Sequence, residues 1–244
     1  MTELTTLVWV VLIAGALLVG VAKTALPGLA TLVVAMYASV LPARESTAVL
    51  LVLLLVGDLV AIWAYRKECD FQTLKRLVPT VLVGLALGAG FLAFADNTTM
   101  RRTIGVILLV LTALTLWGRV KGLDGAGQGP WARAGYGVLG GFTTMAANAG
   151  GPVMTLYFLA ARFDMLRFLG TQAWFFFLVN VAKLPFSLSL GLLSVDMLLP
   201  LAILAPVTLL GTWLGRAVIK HMAELWFTRI IIALTIASAV YLLR

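Results

Sequence analysis

One cysteine, one histidine and few charges leave this sequence little with which to do covalent chemistry. Only 11% of its 244 residues are Asp, Glu, Lys or Arg. Cys69 has no second thiol to pair with, which excludes an intrachain disulfide, and a single thiol offers neither a Cys/His metal cluster nor redox chemistry. His221 is the only histidine. No Ser/His/Asp set, cysteine nucleophile, metal-spaced cluster or nucleotide-binding motif is visible, so we expect no enzyme, no metal and no cofactor. The N-terminus carries Glu3 and no Lys or Arg ahead of its first apolar run. It therefore lacks the basic region of a cleaved signal peptide, and residues 4–22 are expected to be retained.

What the chain has in excess is apolar surface. Hydrophobic residues make up 62% and the mean hydropathy is +1.07, well above the apolar share near one half that soluble domains carry. Runs at 46–65, 77–95, 104–117, 168–181, 197–214 and 230–243 approach or reach the length of a membrane span. Lipid is the expected solvent. The pattern predicts an all-α polytopic membrane protein of about ten apolar segments, near 4–22, 25–41, 46–65, 77–95, 102–118, 131–147, 151–161, 168–190, 197–217 and 228–243.

A net charge of +8 would suit a nucleic-acid partner, but the basic residues lie mostly in the connections between segments. With the N-terminus outside, one face collects Arg66, Lys67, Lys75, Arg76, Arg119, Lys121, Arg133, Arg162, Arg167, Arg216, Lys220 and Arg229, and the other only Arg44, Arg101, Arg102 and Arg244. That asymmetry predicts an inner-membrane protein with both termini outside and the basic face in the cytoplasm. The partners expected are the lipid bilayer and a small anion, not nucleic acid, with homo-oligomerisation left open.

The long polar connector around 118–130 is glycine-rich and lies near the middle, which reads as a linker. We therefore divide the chain into a first transmembrane repeat at 1–118, a cytoplasmic linker at 119–130 and a second repeat at 131–244. Pro79, Gly84, Gly88 and Arg102 recur 127 residues later as Pro206, Gly211, Gly215 and Arg229. Gly20 lines up with Gly141, and Asp58 roughly with Asn180. Glycines spaced by four can be mere packing sites, yet the shared order favours a repeat. Five segments per half make the repeats inverted, a transporter architecture.

Each repeat is expected to begin with a broken or re-entrant helical hairpin. The run at 151–161 has too few residues to span a bilayer core of roughly 30 Å, and the stretch before it, 145–152, is rich in small and polar residues. The matching stretch in the first half is 20–28, with Lys23, Thr24, Pro27 and Gly28. Two such breaks in corresponding positions point to a binding site. Prolines suit helix starts, so helix N-termini with free N–H groups are expected near Pro27 and Pro152, where they attract anions. Lys23 adds a positive charge, while Thr24, Thr143, Thr144 and Asn148 add neutral donors; Gly150 and Gly151 open the backbone to close approach. The alternative for Lys23 is snorkelling to an interface. A phosphate-binding P-loop over 15–24 fails, because Lys23 does not follow the second glycine directly.

Asp58 and Lys183 lie inside apolar segments, where ionisable groups are costly. A structural Asp58–Lys183 ion pair is one reading. The other has Lys183 join Lys23 around the anion while Asp58 titrates to couple transport to protons.

These residues resemble the TauE/SafE sulfite-exporter-like permeases. The stronger similarity is in the second half: Gly140-Gly141-Phe142-Thr143-Thr144-Met145, Ala147-Asn148-Ala149-Gly150-Gly151-Pro152-Val153, Tyr157, Phe168, Gly170-Thr171, Ala173-Trp174, Asn180, Lys183 and Pro185. In the first half it rests on Gly20, Lys23-Thr24 and Pro27-Gly28, where Lys23-Thr24-Ala25 stands in place of a glycine-rich triplet common elsewhere in the family. The resemblance implies a secondary permease for sulfite, sulfonates or similar small organic anions, often exporting them. An anion channel with the same lining, a membrane enzyme, and an assembly or receptor subunit are the rival readings.

Overall fold

Backbone in lipid must satisfy its own hydrogen bonds, and long apolar runs do so as helices. The computed structural model describes residues 5–94, 97–120, 129–189 and 197–243. Among them the chain forms α1 (Thr6–Thr24), α2 (Leu29–Val40), α3 (Ala43–Tyr65), α4 (Phe71–Phe94), α5 (Asn97–Val120), α6 (Pro130–Ala147), α7 (Gly150–Ala160), α8 (Met165–Ser189), α9 (Leu198–Ile219) and α10 (Glu224–Leu243). Most of the expected linker, residues 121–128, lies outside the described residues. Among the described residues six helices, α1, α3, α4, α8, α9 and α10, contain stretches long and apolar enough to cross a membrane, while α2 and α7 are short apolar helices. At about 1.5 Å per residue these two reach roughly half-way through a bilayer core.

The chain divides into two compact units, Met1–Cys69 with Leu169–Met222, and Asp70–Phe168 with Ala223–Arg244. Each draws on both halves of the sequence. The first unit holds α1, α2, α3, most of α8 and α9. Its core is built from Leu12, Ala16, Val19, Val33, Tyr37, Leu53 and Leu204. Tyr37 brings its hydroxyl to the Leu12 carbonyl at 2.8 Å and so ties α2 to α1. The second unit holds α4 to α7, the first residues of α8, and α10. Leu111, Ala146, Val153, Leu156 and Ala239 form one of its clusters, and Phe158, Phe168 and Phe227 stack edge-on in another.

Each unit contains a close helix crossing made possible by glycine. In the first, a methyl on Gly20 of α1 would run into the backbone of Thr208 and Thr212 on α9, and one on Gly211 into the Leu17 carbonyl. In the second, a methyl on Gly141 of α6 would meet the backbone of Val81 and Leu85 on α4, and one on Gly84 the Val138 carbonyl. The α4 contacts Val81, Gly84 and Leu85 precede their α9 counterparts by the same 127 residues that separate the proline, glycine and arginine recurrences. Lacking a side chain at these points lets the backbones approach, the usual device where lipid supplies no hydrophobic drive between helices.

Candidate functional site

The first break is narrower than its sequence suggests. α1 stays helical through Thr24, so Lys23 and Thr24 form its last turn and only residues 25–28 leave the helix. Helix ends leave carbonyls without partners, and here side chains take them up. Tyr65 donates its hydroxyl to the Thr24 carbonyl at 2.7 Å. The Thr24 hydroxyl donates to the carbonyls of Gly20 and Thr212, each at 3.0 Å, which fastens the end of α1 to α9. Pro27 and Gly28 are buried and lead into α2, with Gly28 as its N-cap.

Lys23 is 9% exposed, and its stem lies against α3 at Gly57, where a methyl would stand 2.8 Å from Lys23 Cγ. Its ammonium group pairs with Asp58, Nζ to Oδ1 at 2.6 Å. Asn180 of α8 donates from Nδ2 to the other carboxylate oxygen, Oδ2, at 2.7 Å. Phe176, one turn earlier on α8, places its ring centroid 5.0 Å from Lys23 Nζ. A cation over an aromatic face gains roughly 2 kcal/mol or more when desolvated. Lys183, also buried, lies on the same helix within electrostatic reach of Lys23. The fully buried carboxylate is thus paired with Lys23, not with Lys183 as the ion-pair reading of the sequence had it. Two lysines and one aspartate share this part of the first unit.

In the sequence Asp58 lines up with Asn180 only as a repeat mate, and Phe176 falls in the run Trp174-Phe175-Phe176-Phe177, which reads as packing or lipid-facing surface. The structure gives both a place at the ion pair. No spacing signals this, because α1, α3 and α8 meet only through the tertiary fold.

Thr144, Asn148, Gly150 and Gly151 belong to the second unit. There α6 ends on Asn148, whose φ of 53° and ψ of 24° are left-handed, a conformation that asparagine tolerates better than most side-chain-bearing residues. The Asn148 and Ala149 N–H groups close the turn on the Thr144 and Thr143 carbonyls, both at 3.1 Å. Gly150 starts α7 against Thr144, where a methyl would stand 2.6 Å from Thr144 Cβ. Pro152 falls in the first turn of α7, as a residue without an N–H can. Thr143 spends its hydroxyl on the Leu139 carbonyl at 2.8 Å.

Outside the spans, Asp70 precedes α4 and accepts from the Thr73 N–H at 3.0 Å and the Thr73 hydroxyl at 2.7 Å, and it pairs with Arg167. Partial burial raises its pKa, but the Thr73 bonds and Arg167 outweigh that and lower it to about 2.

A family model described as Sulfite exporter TauE/SafE matches residues 12–242. No curated protein and no solved structure matches the chain.

Proposed function

The chain belongs to the sulfite exporter TauE/SafE family, a family of membrane transporters and not of enzymes, and from that premise we propose that it is a secondary transporter for sulfite, a sulfonate or a similar small anion. The observation that carries the reading is the buried Lys23–Asp58–Asn180 cluster at the end of a broken helix, with Lys183 beside it. Buried charge is expensive unless it is paired, and inside a membrane it usually marks a pathway. The cationic groups of Lys23 and Lys183 suit an anion.

The anion competes with Asp58 for Lys23. A proton on Asp58 removes the competitor, so proton and anion enter together, and the Asn180 amide holds the carboxylate where this exchange takes place. Lys23, Pro27, Gly28 and Lys183, with Thr24 fastening the helix end, are the anion contacts proposed in the first hairpin. Thr144, Asn148, Gly150 and Gly151 are those proposed in the second. The 1–118 and 131–244 halves act as inverted repeats joined by the 119–130 linker, and the anion is exposed to the two sides in alternation. The matched glycine crossings and the meeting of the repeat mates Asp58 and Asn180 support the repeat. The basic face lies in the cytoplasm and both termini outside the inner membrane.

Counterflow of labelled sulfite in proteoliposomes tests the reading. A transporter accumulates label transiently against its gradient when the inside is preloaded with unlabelled sulfite. An anion channel only equilibrates it. Asp58→Asn should keep exchange but lose the response to a pH gradient.

A further inference from the structure

Gln172, Phe176, Asn180 and Lys183 are spaced by four, four and three residues along α8 and so share one helix face. Phe176 and Asn180 on that face meet Lys23 and Asp58. Gln172, two turns before Asn180, is 5% exposed. Its Oε1 is buried and has no hydrogen-bond partner among the described residues. Just before it, Gly170 packs against the backbone of Tyr65, Glu68 and Cys69. Gln172 therefore lies between the α3–α4 turn and the Lys23 cluster, about 6 Å along the axis from Phe176.

A buried amide oxygen left without a donor is costly, and an apolar side chain would fill the same space without that cost. The group gains only when something brings a donor to it. We propose that Gln172 is a specificity-determining residue, a station beside the Lys23 cluster that accepts a hydrogen bond from a donor the transported anion itself carries. A bare oxyanion offers Oε1 nothing but repulsion. An anion with its own O–H or N–H, of which hydrogen sulfite is the smallest fitting the family, donates a hydrogen bond to Oε1 while its charge stays toward the lysines. The inference rests on the transporter reading of that cluster.

The test compares sulfite with methanesulfonate, an anion of similar head group that has no donor. Both are measured as uptake into proteoliposomes containing wild type, Gln172→Met or Gln172→Leu, with the melting temperature of each protein in detergent alongside. A lost hydrogen bond involving a charged ligand corresponds to roughly a tenfold change in affinity. Gln172→Met should raise the half-saturating concentration of sulfite about tenfold, shift methanesulfonate less than about twofold, and melt at or above the wild-type temperature. The last result separates recognition from packing, because removing an unpartnered buried amide relieves the fold. Sulfite handling within twofold of wild type in both variants overturns the proposal. So does an equal loss for both anions with a lowered melting temperature. Wild type that moves neither anion brings down the transporter reading, and this proposal with it.

Discussion

The two broken hairpins use the same packing and different chemistry. α1 crosses α9, and α6 crosses α4, through glycines at corresponding positions. Gly20 corresponds to Gly141, and on that register Lys23 corresponds to Thr144. One break thus ends in a cation held by a carboxylate, the other in a neutral hydroxyl and a left-handed asparagine. A packing scheme constrains backbone contacts and leaves the side chains at the break free to diverge. Charge has been concentrated in one hairpin, so the two should respond differently to the same kind of substitution.

The largest effect falls on the charged hairpin. Lys23→Met leaves Asp58 buried and unpaired, which should cost about 3–5 kcal/mol and abolish flux. Lys23→Met/Asp58→Leu should recover most of that stability, read as melting temperature, while flux stays absent. Recovery of flux in the double variant would make the pair structural. Next, the packing that both hairpins share should fail alike: Gly211→Leu and Gly84→Leu should each lower stability by about 1–3 kcal/mol or more through overpacking. A marked difference between them would break the correspondence of the two crossings.

At the neutral hairpin, Asn148→Gly keeps the left-handed turn accessible and should leave stability within about 1 kcal/mol of wild type. A rise in half-saturating sulfite at unchanged melting temperature would make the Asn148 side chain a ligand. The smallest effect concerns Asp70. Its pKa is lowered from 3.8 to about 2, so its stabilising contribution is complete above pH 3.8 and disappears as pH falls through about 2. Asp70→Asn should flatten that acid limb, lowering the melting temperature modestly above pH 3.8 and changing little below about pH 2.

Composition and hydropathy made the helical membrane class legible, because lipid permits few other forms for such runs. The short helix α7 was legible too, since glycines and Pro152 punctuate an apolar run too short to span. The partner of Asp58 was not. Lys23 is 35 positions away and Lys183 is 125 away, and only the packing of α1 on α3 decides between them. Gln172 gave no signal at all, because the aromatic run 174–177 beside it reads as apolar surface. The mixed membership of the two compact units is illegible along the chain for a similar reason. Order along the chain suggested two halves, whereas the closest helix crossings pair α1 with α9 and α6 with α4.

The most direct test of the ion pair as a coupled anion site is labelled sulfite uptake into proteoliposomes, with and without an imposed pH gradient, for wild type and Lys23→Ala side by side. A coupled anion site predicts flux that an inward proton gradient drives and that Lys23→Ala abolishes. Equal flux in the two proteins would contradict it.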